Sequence, residues 1–297
     1  MKIVIAGGTG YLGQLLSTHF LKDSNNTVFI LSRSRRANEG NLYYLKWNGK
    51  TRGSWTTSLE NTDVLINLTG KSVDCRYTKK NRKEIYASRI ESTHLLCQTV
   101  LELENPPKVF IQSSSATIYR HSEDTLMTEN KGEIGNDFSM DVCKKWEAVF
   151  NSYDLSRTKK IITRTSIVMG NSGGALPILK TLVMLGFGGK QGDGNQFVSW
   201  ISEEDYIRSV VHLIYQKEGV YNICVPNPLK NETFQRKLRM KLGIFFGLNM
   251  PKWMLKIGAK MIGTEPELIL KSRRVYPEKL LKTGFIFKTN NFDAFAV

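Results

Sequence analysis

The stretch that decides the fold is residues 2–13, which read KIVIAGGTGYLG near the start of the 297-residue chain. Its β-branched run, 2–6, is typical of a strand that is buried on both faces of a parallel sheet. The run stops at glycine, and apolar residues then recur at helical spacing over 11–21. A strand, a glycine turn and a helix in this order predict the first unit of a dinucleotide-binding α/β domain.

The glycines of this turn satisfy two phosphate-binding spacings, G-x-x-G-x-x-G from Gly7 and G-x-G-x-x-G from Gly8. Glycine permits the sharp turn and the close approach of a pyrophosphate to the backbone. The amides at the start of the following helix then face the anion. A tight turn without a ligand is the alternative, which the position between strand and helix disfavours. We therefore expect the cofactor phosphates to contact the turn residues Gly7, Gly10, Tyr11, Leu12 and Gly13.

Apolar strands alternate with helical stretches over the rest of the N-terminal half. The pattern predicts strands at 27–31, 42–47, 63–68, 108–113 and 160–168, and helices at 79–103 and 138–151. This alternation predicts an α/β fold with a Rossmann-type doubly wound parallel sheet.

The pattern loosens after Gly170, where it predicts helices at 204–215 and 232–242, a strand at 219–224 and a mostly helical tail from Pro251. We divide the chain into a dinucleotide-binding domain, 1–170, and a small C-terminal α+β substrate-cap region, 171–297. The C-terminal part of the chain is expected to be partly interleaved with the sheet.

The second predicted strand leads into the sequence SRSRR at 32–36, with no acidic residue before Glu39. A cofactor with a free ribose 2′-hydroxyl usually meets Asp or Glu at this strand end, whereas arginine accommodates a 2′-phosphate. The guanidinium fork also matches the geometry of a phosphate. Ser32 and Arg33 therefore predict NADP(H) as the cofactor rather than NAD(H). The alternative is that these arginines are only surface charge.

The net charge is +15, from 42 Lys and Arg against 27 Asp and Glu, and such a field attracts anions. The excess of positive charge is concentrated in residues 230–260, and the simplest interpretation is a helical face that is exposed to solvent. A nucleic-acid function would need aromatic platforms or a reading motif beside the charge, and the sequence contains neither. With 41% apolar and 23% charged residues, the composition excludes a wholly disordered chain.

The four cysteines form no C-x-x-C pair and the four histidines no H-E-x-x-H motif, so we predict neither a metal site nor a disulfide framework. Unpaired thiols favour a reducing, cytoplasmic location. No stretch approaches the about 20 apolar residues of a membrane span. The short apolar run at the N-terminus is unlike a secretory signal.

Three segments together resemble the extended short-chain dehydrogenase/reductases of the nucleotide-sugar epimerase type: NLTG at 67–70, SSSATIY at 113–119 and the segment 192–205. The chain is similar to an atypical branch, the epimerase family proteins with a C-terminal domain of unknown function. The motifs that carry this narrower resemblance are RYT at 76–78, KE at 83–84, SR at 88–89, KWE at 145–147, and the segments 164–170, 173–176, 185–189, 274–277 and 280–285.

The resemblance covers nearly the whole chain and implies a set of contacts to NADP(H). At matching positions these are Ser32, Arg33, Leu68, Thr69, Gly70, Glu84, Arg89, Ser113 and Ile167. Glu84 and Arg89 lie five residues apart on a predicted helix, so they either both face the cofactor or pair with each other.

The family resemblance also implies a Tyr-x-x-x-Lys pair, in which lysine lowers the pKa of a tyrosine that transfers the proton. In the matching helix Phe138 and Val142 occupy these two places, and no Tyr-x-x-x-Lys fits. Ser115 remains as a hydroxyl that could hold a substrate oxygen. Tyr119 is the best remaining phenol for the proton, with packing at the sheet edge as its alternative role.

Three hypotheses follow for function. The first is an NADP(H)-binding epimerase- or reductase-like enzyme with a small-molecule substrate. The positive net charge favours an anionic substrate. The second is a catalytically silent NADPH-binding module that senses redox state through a partner, because the Tyr-x-x-x-Lys pair is absent. The third is a peripheral membrane or acidic-partner adaptor that uses 234–262. Neither the substrate nor the oligomeric state follows from the sequence.

Overall fold

A computed structural model of the chain describes residues 1–34, 36–263 and 265–297. Arg35, one member of the predicted arginine cluster, lies outside the described residues. The strands, in chain order, are β1 (Lys2–Ala6), β2 (Thr27–Ser32), β3 (Leu42–Lys46), β4 (Val64–Asn67), β5 (Val109–Ser115), β6 (Lys159–Thr165), β7 (Ile167–Met169), β8 (Phe197–Val198), β9 (Trp200–Ser202), β10 (Gly219–Ile223) and β11 (Leu229–Lys230).

The described helices are α1 (Tyr11–Phe20), α2 (Lys79–Glu102), α3 (Phe138–Asn151), α4 (Leu176–Leu182), α5 (Glu203–Leu213), α6 (Asn231–Lys241), α7 (Lys252–Ile262), α8 (Glu267–Leu270) and α9 (Glu278–Lys282). Five of them, α1, α2, α3, α5 and α6, match the predicted helices within a few residues at each end, whereas α4 was not predicted and the tail was predicted only as mostly helical. Among the described residues, none of these helices combines the length and the apolar character that crossing a membrane requires.

The main sheet has seven strands in the order β10-β6-β5-β4-β1-β2-β3, and the paired strands are all parallel. This confirms the predicted Rossmann-type doubly wound sheet. The strand order reverses at β1, where Ala6 is in register with Leu31 of β2 on one side and with Asn67 of β4 on the other. Ligands of such sheets bind in the crevice outside the carboxyl ends of the strands at this reversal.

Helices cover both faces of the sheet, and alternate residues of β1 point into the two layers. Ile3 and Ile5 pack with residues of α1 and α5, whereas Val4 and Ala6 pack with residues of α2. All four are fully buried. Burial on both faces explains why the strand reads as a continuous apolar run rather than an alternating one.

The predicted strand at 160–168 is two strands, β6 and β7. The backbone leaves the main sheet at Ser166, whose amide and hydroxyl both donate to Ile223 O at 3.0 Å, and β7 then pairs with β9. The chain beyond residue 170 supplies β10 to the main sheet beside β6. The remaining C-terminal elements enclose a separate apolar cluster that includes Trp200, Phe234 and Phe292.

Replacement of Gly13 by alanine tests the packing of the glycine turn on α1. An added Cβ at Gly13 would lie 2.4 Å from Gly8 Cα, which belongs to backbone that cannot move aside. We expect Gly13→Ala to lower the free energy of unfolding by about 1–3 kcal/mol, measured by urea denaturation.

Gly258→Ala is the matched control, because Gly258 lies within α7 and has no heavy atom within 4 Å of an added Cβ. It should be neutral or stabilise by up to about 1 kcal/mol through helix propensity. A Gly13→Ala protein with the wild-type urea midpoint would contradict this account of the turn.

Candidate functional site

The glycine turn packs directly against the end of β4. Gly7 has a φ of +77°, and its absent Cβ would lie 3.0 Å from the carbonyl of Leu68 and from the amide of Thr69. Gly7 N donates to Leu31 O at 3.3 Å, and Leu68 N donates to Ala6 O at 2.9 Å. These contacts hold the turn between the carboxyl ends of β2 and β4, at the reversal of the strand order.

Helix α1 begins at this turn with its first amides open. Its N-cap is Gly10, no described side chain caps it, and its first turn contains no acidic residue. An added Cβ at Gly10 would meet nothing closer than Gly7 O at 3.5 Å, so this side of the turn is open. The uncapped N–H groups and the helix dipole favour an anion here.

The carboxyl end of β2 lies beside the turn and carries positive charge. Ser32 is buried, and its hydroxyl accepts from Ser34 N at 3.3 Å. Arg33 is exposed and forms no hydrogen bond or ion pair within the part of the chain that is described. The Arg36 guanidinium lies 5.7 Å from the centre of the Tyr44 ring. The carboxyl end of β2 therefore presents an exposed guanidinium beside the glycine turn.

A cavity of about 340 Å³ opens outside β4 and β5, next to α3. It brings together seven of the predicted residues: Leu12, Leu68, Thr69, Gly70, Arg89, Ser113 and Ser115. The remaining turn residues and the β2 end lie outside this lining. Ile167 is also outside it and is 38% exposed, whereas its neighbour Ser166 lines the cavity.

Arg89 is held rigidly at the cavity wall. Its guanidinium packs on Gly70, where an added Cβ would lie 2.8 Å from Arg89 Cζ, and on the Trp146 ring, 5.0 Å from the ring centre. Its Nη1 donates to Lys71 O at 3.0 Å. Burial lowers the pKa of this guanidinium. Arg89 thus supplies a desolvated positive charge to the cavity.

Glu84 does not pair with Arg89. Its carboxylate binds the amine of Lys71, which itself lines the cavity, and this hydrogen bond holds the pKa of Glu84 below its usual range. Glu84 and Arg89 therefore make separate contacts with Lys71. Glu84 binds its side-chain amine, and Arg89 donates to its backbone carbonyl.

The serine segment at the end of β5 presents its hydroxyls in two directions. Ser115 Oγ donates to Thr117 Oγ1 at 2.9 Å and accepts from Thr117 N at 3.1 Å, and both residues line the cavity. Ser114 Oγ instead donates to Glu147 Oε1 at 2.6 Å in the protein interior. Of the two, the Ser115 hydroxyl is the one bonded to another cavity-lining residue.

The Tyr119 phenol is not brought to the cavity. It is fully buried, donates to Asn222 Oδ1 at 2.8 Å and accepts from Arg164 Nη1 at 3.0 Å. These bonds fix the ring in a small apolar cluster, which corresponds to the packing role that the sequence offered as the alternative. Tyr119 and Ser115, predicted as a catalytic pair, thus point to different surroundings.

The places of the missing Tyr-x-x-x-Lys pair are filled by packing residues. Val142 lines the cavity, and the Phe138 ring lies edge-on to two tyrosine rings, 4.7 Å from Tyr77 and 5.4 Å from Tyr86 between centres. Lys144 donates to Asn136 at 2.9 Å and lies outside the lining. The described lining contains one phenol, Tyr77, and one lysine, Lys71, whose amine binds Glu84.

Sequence reasoning missed three hydroxyl groups of this cavity. Tyr77, Ser139 and Thr165 all line it, and the hydroxyl oxygen of each is buried without a hydrogen-bond partner among the described residues. Buried polar groups are normally paired, so these three hydroxyls leave unused hydrogen-bonding capacity in the cavity wall. The one available signal was the RYT motif at 76–78, to which the resemblance assigned no chemistry.

The Tyr77 phenol is protonated at neutral pH. Burial raises its pKa, the carboxylates of Glu267 and Glu265 raise it further, and Arg273 acts in the opposite direction. A neutral phenol is a hydrogen-bond and proton donor, and Tyr77 lines the cavity with its hydroxyl oxygen buried in the wall. Tyr77 N also donates to Glu265 Oε1 at 2.8 Å, which fixes the loop that carries it.

A larger depression, about 780 Å³, lies at the opposite edge of the sheet, where β6 begins. Residues 151–160 and Glu218 line it. It is an open turn region at the amino ends of the strands, away from the glycine turn. We therefore place the candidate site at the smaller cavity, where the unpaired polar groups are.

The cysteines give a direct test of this cavity. All four are free; Cys75 is partly exposed, and Cys97, Cys143 and Cys224 are buried. Cys143 lines the cavity, and burial raises its pKa to about 12, so it is a thiol rather than a reactive thiolate. We expect iodoacetamide at neutral pH to alkylate native protein mainly at Cys75, as read by peptide mass spectrometry.

The denatured chain is the control and should react at every cysteine. Alkylation of Cys143 in native protein at the rate of Cys75 would contradict the closed, desolvated environment described for this side of the cavity.

The fold and the site define a Rossmann-type α/β protein with a glycine turn at the reversal of its strand order. Residues 3–139 match the NAD dependent epimerase/dehydratase family, and 250–295 match a domain of unknown function (DUF1731). The epimerase family protein YfhF of Bacillus subtilis is 30% identical to this chain, over 99% of it and 96% of YfhF. The chain belongs to the NAD-dependent epimerase/dehydratase family, as its sequence motifs predicted.

Solved structures share this fold along the whole chain. A human epimerase family protein, crystallised with NADPH, has a TM-score of 0.86 at 24% identity, covering 99% of this chain and 97% of that one. A nucleoside-diphosphate sugar epimerase from Corynebacterium glutamicum has a TM-score of 0.77 at 26% identity, covering 99% of this chain and 57% of that one.

Proposed function

We propose that this chain is an NADP(H)-binding oxidoreductase or epimerase-like enzyme that acts on a small molecule. The observation that carries the proposal is the open N-terminus of α1 beside the unpaired Arg33 at the end of β2. The open N-terminus of α1 suits a pyrophosphate, and the free guanidinium at the end of the neighbouring strand suits a ribose 2′-phosphate. The human relative crystallised with NADPH supports this cofactor.

The cofactor fits the chain's own residues in three places. The pyrophosphate would lie on the turn of Gly7 to Gly13, and the 2′-phosphate between Ser32 and Arg33. The nicotinamide end would reach the cavity at Leu68, Thr69, Gly70, Arg89 and Ser113. Residues 171–297 would act as the cap over the substrate.

Bound NADPH would supply a hydride to a carbonyl carbon of the substrate. Ser115 and Thr117 would hold the carbonyl oxygen by hydrogen bonds. The Tyr77 phenol would donate the proton that this oxygen gains as the carbon is reduced, and the phenolate would recover a proton from water. Tyr77 thereby takes the chemical role of the family's missing tyrosine from a different element of the fold.

The substrate would carry a negative charge. Arg89 lines the cavity, and burial lowers the pKa of its guanidinium. An anionic group in the cavity would stabilise this desolvated cation. The free thiols support a reducing, cytoplasmic setting for this chemistry.

A catalytically silent NADPH-binding module is the second candidate. Phe138 and Val142 at the positions of the proton relay favour it, because neither side chain transfers a proton. The two candidates share the cofactor site and differ in the fate of the hydride. The two candidates can be distinguished by testing whether the Tyr77 phenol donates a proton during reduction.

The Arg33→Glu substitution tests the cofactor specificity. It replaces the guanidinium with a carboxylate that repels a 2′-phosphate and accepts from a 2′-hydroxyl. We expect NADPH to bind about 10–100-fold more weakly, with NADH affinity unchanged or improved, measured by nicotinamide fluorescence. Lys217→Glu, the same charge change at another exposed position, should leave both affinities unaltered. Equal weakening of NADPH by both substitutions would count against a specific phosphate contact.

The Tyr77→Phe substitution tests the proton donor while keeping the ring that packs on Phe138. We expect NADPH affinity to stay within about twofold and kcat for NADPH-dependent reduction of an anionic carbonyl probe, an aromatic α-keto acid, to fall by about 100-fold or more. The remaining activity should recover as the pH falls, since the solvent then supplies the proton. Wild-type turnover by Tyr77→Phe would exclude this role, and wild-type protein that binds NADPH without any turnover would favour the silent module.

A further inference from the structure

Helix α7 exposes an apolar ridge to solvent. Trp253, Ile257 and Met261 recur every four residues along one side of it and are 63%, 54% and 82% exposed. Leu255 and Ala259 on the other side are buried in the protein. The helix therefore has two apolar sides, and the fold covers only one of them.

The turn before α7 extends this ridge. Phe245 is 95% exposed and Phe246 is 70% exposed. Leu248 N donates to Gly186 O at 2.8 Å, which brings the turn beside Leu185 and its exposed neighbours. We define the apolar surface as these eight exposed side chains: Met184, Leu185, Phe245, Phe246, Leu248, Trp253, Ile257 and Met261. Eight large apolar side chains exposed on neighbouring segments are uncommon unless something covers them.

A row of lysines runs along the apolar surface. Lys252, Lys256 and Lys260 share the four-residue repeat of the ridge, each one residue before one of its members. Lys252 pairs with Asp193 at 3.1 Å, whereas Lys256 and Lys260 form no ion pair within the described residues. Residues 230–260 hold eight basic side chains and the single acid Glu232. A partner that fits this surface must therefore offer both apolar groups and negative charge.

We propose that the apolar surface docks on an anionic lipid bilayer, as a peripheral contact. Aromatic and aliphatic side chains would enter the boundary between headgroups and acyl chains, with α7 lying in the plane of the interface. The lysine stems would cover apolar surface while their amines reach lipid phosphates. A second copy of the chain fits less well, because two-fold pairing would set the unpaired lysines of both copies near one another without acids between them.

Sedimentation with vesicles tests this proposal on the full chain. The probes are extruded vesicles of phosphatidylcholine alone and of phosphatidylcholine with about a quarter phosphatidylglycerol. We expect binding to the anionic vesicles at low salt, little binding to the neutral ones, and a fall of about tenfold in the bound-to-free ratio when the salt rises to 0.5 M or so. A blue shift of tryptophan emission on binding should report burial of Trp253.

Two double substitutions separate the apolar and the ionic contributions. Phe245→Ser with Phe246→Ser, and Lys256→Glu with Lys260→Glu, should each reduce binding to anionic vesicles by about tenfold or more. The matched controls change exposed positions elsewhere on the molecule, Leu101→Ser for the first and Lys22→Glu with Lys217→Glu for the second. All four variants should keep the thermal melt and the NADPH affinity of the wild type, so failure here leaves the cofactor proposal untouched.

Three results would overturn the proposal. One is the absence of binding to anionic vesicles at low salt. Another is equal binding by the test and control variants. The third is a dimer in light scattering that Phe245→Ser with Phe246→Ser converts to monomer, because a second copy would then be the occupant of the apolar surface.

Discussion

The whole site depends on direct backbone-to-backbone packing at the glycine turn. Gly7 fits against the Leu68 carbonyl, and Gly13 fits against Gly8, at separations that leave no room for a Cβ. This packing places the start of α1 at the single point where the strand order reverses. The open amides of the helix, the end of β2 and the cavity beside β4 then adjoin because the sheet is parallel. Without the turn, the same residues would lie on separate loops.

A buried ionic network supports the other side of the cavity. Arg164 of β6 binds Glu147 of α3 through two hydrogen bonds of 2.8 and 2.9 Å, and Ser114 of β5 donates to the same carboxylate. Removing one partner of a buried pair typically costs about 3–5 kcal/mol, because it strands the other charge. The network explains two observations together. It presents Ser115 to the cavity, and it engages the Tyr119 phenol as a structural partner of Arg164.

The sequence predicted what short-range patterns determine. The run 2–6 is continuously apolar and β-branched, apolar residues recur at helical spacing over 11–21, and residues at the ends of parallel strands, such as Leu68 and Ser115, must meet at one edge. The features that the sequence did not predict depend on contacts between residues that are far apart in the chain. The Tyr119 ring is oriented by Asn222, 103 residues away, and the Tyr77 loop is fixed by Glu265, 188 residues away. The break at Ser166 depends likewise on Ile223, so no local pattern reveals it.

The central claim is that the glycine turn and Arg33 together bind a dinucleotide that carries a 2′-phosphate. Calorimetric titration of the unmodified chain with NADPH, NADP⁺, NADH and NAD⁺ tests it most directly. We expect saturable binding of both phosphorylated forms, at least about tenfold tighter than binding of their unphosphorylated counterparts. Equal affinity for all four would contradict the role of Arg33, and no binding of any of them would contradict the site as a whole.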